Sequence, residues 1–439
     1  MKSGVTKSDT FKSAKGITNK KENMFSFYIV VLYLFLEFGR FQTLIPALSF
    51  LHLPAVTIAL ILISLITSGR IYLKDKQTIL LLLILSEMIL HGPIAINNYW
   101  AFWIFYIMII NFIAYLGISH FVDNEKKFEK FVNFYLLIFV YLSFYGLINE
   151  GRGVGGFIGD ENDFCMVLNM VFPFALYRIF TTNSKSGKIY YISLSALFIL
   201  ANITTLSRGG FLGLAAVVGY CSIKSKNKIA LASILVLLVM FVLALAPDSY
   251  WNEVRSIAEE GDNPYGTGAQ RLYAWKLGWN MFLDNPILGV GQGNYPWHVV
   301  DVENQLGVQW IERSLGGRAA HSLYFTLLPE LGLVGFLLYG MLIVTFIKDT
   351  KYIKYISNNR KDIFSAIESK NHLYQAFAIE ASMIGFLVSS VFISTLYYPS
   401  LYILCGIVMS YKKVLQSKVS DWDFQREHNV DNDLKLINR

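Results

Sequence analysis

Three short constellations in this chain could hold an anion or move a proton. Ser207-Arg208-Gly209-Gly210 has the form of a helix start. Serine is a good N-cap, glycines in the first turn let a ligand approach the backbone, and a helix N-terminus favours an anion. Arg208 at that point makes a phosphate seat. The competing reading is an arginine that snorkels to lipid headgroups beside glycines that serve helix packing. Arg271 opens an amphipathic stretch, 271–283, in which Trp275, Trp279 and Phe282 recur at helical spacing. Asp284-Asn285-Pro286 should stop that helix. Its bland reading is an aromatic belt anchor with an incidental arginine. Gly316-Gly317-Arg318-Ala319-Ala320-His321-Ser322 leads into an apolar run, which places His321 in the first turn of a helix. Nine residues on, Glu330 is an ionisable group inside that run, and Pro329 should free the Phe325 carbonyl and bend the helix. Glu330 is open to two readings, a functional carboxylate or a structural one paired with an arginine. Asp160-Glu161-Asn162-Asp163 follows a glycine-rich segment and suits helix capping.

These residues need elements to position them, and those elements are membrane helices. The 439 residues are 54% hydrophobic and only 16% charged, against about a quarter charged in soluble domains. Several apolar runs approach or exceed the ~18 residues needed to cross a bilayer as helix. Helices satisfy the backbone in lipid, and the alternating pattern of a barrel is absent. Twelve apolar segments are expected, near 25–39, 45–68, 77–94, 99–119, 131–148, 163–180, 189–206, 208–223, 229–246, 322–347, 374–395 and 398–411. With the N-terminus inside, 30 of the 38 Lys and Arg fall in inner segments, as the positive-inside rule requires. The expected organisation is a basic cytoplasmic N-terminus (1–24), helices 1–9 (25–246), one large outer loop (247–320), helices 10–12 (321–411) and a cytoplasmic tail (412–439).

The net charge of +7 is therefore a topology signal, and basic residues spread over seven inner segments argue against nucleic-acid binding. Cys165, Cys221 and Cys405 lie in apolar runs and read as small buried hydrophobes. No His/Cys/Asp/Glu cluster has metal-site spacing, so neither metal nor cofactor is expected. Gly289-Val290-Gly291-Gln292-Gly293 lacks the strand–turn–helix setting of a nucleotide loop. Glu87 and Glu380 also fall in membrane segments, without an evident role. A transporter would set its charges near the bilayer midplane, whereas Arg208, Arg271, Arg318 and His321 all fall at or beyond the outer boundary of the expected topology.

In sequence, Thr205 through Gly210 resembles the outer-face arginine motif of the O-antigen ligase and polymerase superfamily. Arg271 and Trp275, followed by Asn285-Pro286-Ile287-Leu288-Gly289-Val290-Gly291, are similar to its outer-loop signature. Ala320-His321-Ser322-Leu323-Tyr324 through Gly335 resembles its histidine motif. Ser322 stands where members more often have Asn. The Ala-His-Ser form resembles the O-glycosylation ligases associated with exosortase systems. Arg40 to Pro46 is weakly similar to that subgroup's arginine–proline segment, with Phe41 in place of the proline.

The resemblance implies an all-α integral membrane protein with a GT-C-like fold, in the bacterial inner membrane. It implies a metal-independent glycosyltransferase that takes a glycan from an undecaprenyl diphosphate donor to an acceptor hydroxyl on a glycan, lipid or protein. A polymerase would share that chemistry. By this resemblance Arg208 and Arg271 hold the diphosphate, with Ser207, Gly209, Arg318 and Glu330 as further substrate-binding candidates, and His321 is the base. His321 is expected to work as the neutral imidazole, disfavoured as a cation by the helix dipole and nearby arginines.

Overall fold

The computed structural model describes residues 24–69, 73–224, 267–307 and 314–437, with isolated positions between 228 and 240. All regular structure among them is helical: α1 (Met24–Gly39), α2 (Leu53–Thr67), α3 (Lys76–His91), α4 (Asn98–Phe121), α5 (Glu125–Ile148), α6 (Glu161–Thr181), α7 (Lys185–Thr204) and α8 (Arg208–Lys224). Then follow α9 (Thr267–Asp284), α10 (Tyr295–Leu306), α11 (Tyr324–Asn359), α12 (Ala366–Ser389) and α13 (Pro399–Ile437), with short helical turns between some of them. Among the described residues, seven helical spans are long and apolar enough to cross a membrane: Pro46–Thr67, α4, α5, α6, α7, α11 and Ala366–Phe392, with α1 a shorter apolar helix. The protein is an all-α integral membrane protein. The expected segment at 229–246 lies outside the described residues apart from isolated positions; each of the others falls on a helix.

The reason this sequence folds as a bundle is legible in its two apolar surfaces. One side of each helix packs inward, through residues such as Phe27, Phe131, Phe139, Phe164, Phe172 and Phe386. Large apolar side chains such as Ile63, Ile66, Leu137, Phe144 and Leu337 point outward, as suits a surface whose solvent is lipid rather than water. α6 is the central helix, nearly enclosed by its neighbours.

Charge separates the two ends of the bundle. At one end, ion pairs join segments distant in sequence: Arg178 to Glu129 (2.7 Å), Lys418 to Glu125 (2.6 Å), Lys412 to Asp349 (2.7 Å) and Lys413 to Asp75 (2.8 Å). All eight residues come from segments expected on one side of the membrane. Near this end Glu380 accepts bonds from Lys354 (2.5 Å), Thr350 (2.7 Å) and Tyr220 and ties α8, α11 and α12 together. Its role is structural.

The opposite end carries α9 and α10, which pack on a second, smaller core that includes Leu277, Met281, Tyr295 and Val299. This unit is keyed into a break in α11. The expected bend at Pro329 is instead a full break at Gly332 (φ 60°, ψ −158°), a conformation open to glycine and strained for other residues. The backbone groups freed there find partners in 286–291. Leu333 N donates to Pro286 O (2.8 Å), Val334 N to Ile287 O (3.1 Å), Val290 N to Pro329 O (2.8 Å) and Gly291 N to Glu330 O (2.9 Å). A non-helical stretch within an apolar bundle is tolerable only when protein satisfies it in this way.

A Cβ on Gly332 would run into the Ile287 carbonyl. Gly332→Ala should therefore lower the thermal unfolding midpoint of the detergent-solubilised protein by several degrees, through backbone strain of order 1–3 kcal/mol plus the clash. Gly340, in the same helix with nothing near its missing side chain, provides the control. Gly340→Ala should be neutral or slightly stabilising.

Candidate functional site

Four segments meet at the end of the bundle that carries α9 and α10. The first is the N-terminus of α6. Asp160 caps it, with Oδ1 accepting from Asn162 N (2.9 Å). The second is the start of α8, where Ser207 Oγ accepts from Gly210 N (3.0 Å) and donates to Asn162 Oδ1 (2.7 Å). That is the expected N-cap, and the same serine links α8 to α6. Arg208 becomes the first residue of α8 and is half-buried. The third is α9, which begins at Thr267 and ends at Asp284 just before Pro286. Arg271 sits one turn in, with its guanidinium 5.8 Å from the Phe392 ring centre. Trp275, one turn further, stacks on Phe325 (5.0 Å, 6°) and donates from Nε1 to Ala320 O (3.1 Å). The fourth is the segment 314–323. It is pinned by that indole bond, by Gly317 N to Pro296 O (3.0 Å) and by Leu323 N to Ser390 O (2.9 Å).

The start of α6, α9, the 314–323 segment and residues 392–398 enclose a cavity of about 330 Å3, lined by Asp160, Asn162, Asp163, Arg271, Arg318, His321 and Tyr398 among others, and the start of α8 lies beside it. Such a volume suits the reacting part of a ligand rather than a whole lipid-linked glycan. His321 is held by its flanking backbone bonds in a left-handed conformation (φ 49°). That conformation is uncommon outside glycine and is a form of local strain. Its ring is exposed to the cavity and makes no side-chain hydrogen bond to the described residues. Helix α11 begins only at Tyr324, so His321 precedes the first turn in which it was expected.

The electrostatics of the cavity are those of two guanidinium groups held close together. Partial burial, then the charge of Arg208, push Arg271 below its usual range, while Asp160 opposes them. Arg271 still carries its charge at neutral pH, and no carboxylate lies within ion-pair distance of it among the described residues. His321 is also pushed below its ordinary 6.5, first by burial and then by Arg271, with Arg318 adding to the effect and Asp160 opposing it. Burial and the neighbouring cations thus act in one direction on the ring. The imidazole is neutral near pH 7 and can accept a proton.

The sequence-derived candidates divide clearly. Arg271, Arg318 and His321 line one cavity, and Arg208 is near enough to act on Arg271. Ser207, Gly209 and Glu330 do not line it. Ser207 caps a helix, and a side chain on Gly209 would press on Phe392 (3.1 Å). Glu330 Oε2 accepts from Gly293 N (2.7 Å) and the Tyr397 hydroxyl (2.6 Å), and Oε1 from Tyr295 N (3.0 Å). It anchors the backbone of 293–295 and pairs with no arginine among the described residues, so its place is structural. Arg40 bonds Glu37 (2.9 Å) and lies over Phe157 (5.4 Å), also outside the cavity lining. Glu87 is buried in α3 against Gly335. Asp160, Asp163 and Tyr398 are among the lining residues that were not sequence candidates. Asp160 and Asp163 have an obvious local use as helix-end acids, and Tyr398 belongs to a segment without any motif.

Fold and site define a class: a polytopic helical membrane protein whose cation–histidine cavity sits at one end of the bundle. A family model described as O-Antigen ligase matches residues 192–340, about one third of the chain. That stretch contains Ser207, Arg208, Arg271, Arg318, His321 and Glu330, and the match supports the O-antigen ligase superfamily for this chain. The activity it supports is that of a ligase- or polymerase-like, glycan-transferring membrane enzyme. No curated protein matches the chain.

Proposed function

We propose that the protein transfers a glycan from a polyprenyl diphosphate, undecaprenyl in a bacterial inner membrane, to an acceptor hydroxyl at the extracytoplasmic face. The single observation that carries this reading is the convergence of Arg271 and His321 on one cavity. A glycosyl diphosphate needs cations to stabilise its leaving group, and a hydroxyl nucleophile needs a base. In the proposed step the acceptor oxygen bonds the anomeric carbon as the bond from that carbon to the diphosphate oxygen breaks. The acceptor's proton passes to the His321 ring. The released polyprenyl diphosphate keeps the electron pair and is balanced by Arg271 and Arg208, with Arg318 at the rim.

A guanidinium suits that role because its fixed fork of donors matches phosphate oxygens in pairs. Glycan ligases and polymerases share this step and differ in the acceptor. The test is reconstitution. The purified protein in liposomes, given an undecaprenyl-diphosphate-linked glycan and its acceptor, should release undecaprenyl diphosphate with no other protein present. Absence of release with a series of acceptors would remove the assignment.

The charge distribution also sets an orientation. Reporter fusions after residue 411 should behave as cytoplasmic, and fusions near Asp262 as extracytoplasmic, because 30 of 38 basic residues lie on the expected inner side. The reverse pattern would place the cavity away from the acceptor and defeat the mechanism with the topology.

A further inference from the structure

Within the cavity, charge is not spread evenly. Arg271, from α9, and Arg318 and His321, from the 314–323 segment, supply the cations and the base. Asp160 and Asp163, both from the start of α6, supply the carboxylates, with the Asn162 amide between them. Asp163 is the one that its surroundings leave unexplained. Its residue is only 8% exposed. Oδ2 accepts from the Tyr398 hydroxyl at 3.3 Å, while Oδ1 is buried with no hydrogen-bond partner among the described residues. Leaving a buried carboxylate oxygen without a donor is costly. Helix capping does not use it, because Asp160 and Ser207 already make the capping bonds at these two helix starts.

A hydrogen-bond donor on the ligand would supply the missing partner. A phosphate offers none at neutral pH and is repelled by two neighbouring carboxylates, so phosphate belongs with Arg271. The hydroxyl groups of the sugar attached to that phosphate are donors. We propose that Asp163, steadied by Tyr398, is the subsite that recognises the first sugar of the lipid-linked donor, so that the cavity reads diphosphate at its arginines and sugar hydroxyl at its carboxylate. This deepens the glycan-transfer reading and rests on it.

The probes are undecaprenyl diphosphate and undecaprenyl diphosphate bearing one N-acetylhexosamine, with binding measured on the full-length protein in nanodiscs. Wild type should bind the sugar-bearing lipid about tenfold tighter, the scale of one hydrogen bond to a charged group. Asp163→Ala should erase that preference and leave the bare lipid bound as well or better, since an anion has been removed. Tyr398→Phe, which leaves the carboxylate in place, should reduce the preference in part. Equal loss for both lipids in both variants would mean a structural role and overturn the proposal. So would a wild-type protein that binds both lipids alike, or an Asp163→Ala protein that keeps the preference. Failure of the wild type to bind even the bare lipid through Arg271 would instead sink the donor reading itself.

Discussion

His321→Gln is expected to abolish glycan transfer while leaving donor binding intact. Glutamine keeps much of the size and hydrogen-bonding capacity of the ring but cannot take up a proton near neutral pH. General base catalysis contributes ~10²–10⁴ in rate, and the turnover number should fall by about that factor. The bland alternative, a histidine that merely positions backbone, predicts the opposite. Leu323 N and Ala320 O already hold this segment without the ring, so a positional role predicts near-normal transfer. The pH profile gives a second, independent readout. The working form is neutral imidazole, and burial with Arg271 pushes His321 below 6.5. The acidic limb of the rate should therefore have its midpoint below that value, with activity lost as pH falls through it. Arg318→Gln removes a cation that lowers His321, so the midpoint should move to higher pH. Asp160→Asn removes the opposing carboxylate, and the midpoint should move lower. Limbs that do not respond to either charge would dissociate His321 from the titration.

Arg271→Lys should weaken binding of undecaprenyl diphosphate by tenfold or more and slow transfer further. Lysine retains the charge but not the planar fork that can bind two oxygens at once. It also lacks the guanidinium face that lies 5.8 Å from Phe392. Arg208→Lys should act in the same direction, because its charge is felt at Arg271. The two variants should be non-additive when combined, as groups that share one ligand are. Binding of bare undecaprenyl diphosphate separates this from a folding defect, since a misfolded protein would lose its thermal transition as well. Two fully active lysine variants would contradict a shared diphosphate site.

Much of this architecture is written locally and can be read without coordinates. Pro286 ends the Arg271 helix, Ser207 caps α8, and the basic residue Arg178 pairs with Glu129. Each follows from spacing, composition or a single residue's backbone preference. What sequence does not carry is partnership across the chain. Glu330 reads as an unexplained charge in an apolar run because its partners, the backbone of Gly293 and Tyr295 and the Tyr397 hydroxyl, lie 35 to 67 residues away. The break in α11 falls at Gly332 rather than Pro329. Proline can stay inside a bent helix, whereas the turn at Gly332 is driven by the 286–291 segment that fills it. Asp163 was masked by a sufficient local explanation, a helix start, and only its buried, unpartnered oxygen separates it from the other acids nearby. The 390–398 segment contributes Phe392 and Tyr398 to the cavity and carries no motif at all.

In the proposed mechanism Arg208, Arg271 and His321 act on one diphosphate-linked substrate. A cryo-EM structure of the full-length protein in nanodiscs with undecaprenyl diphosphate tests it most directly. Diphosphate density is expected against the Arg271 guanidinium and within reach of Arg208, with the His321 ring left free to meet an acceptor hydroxyl in the cavity. Diphosphate density at any other place on the protein, with this cavity unfilled, would contradict it.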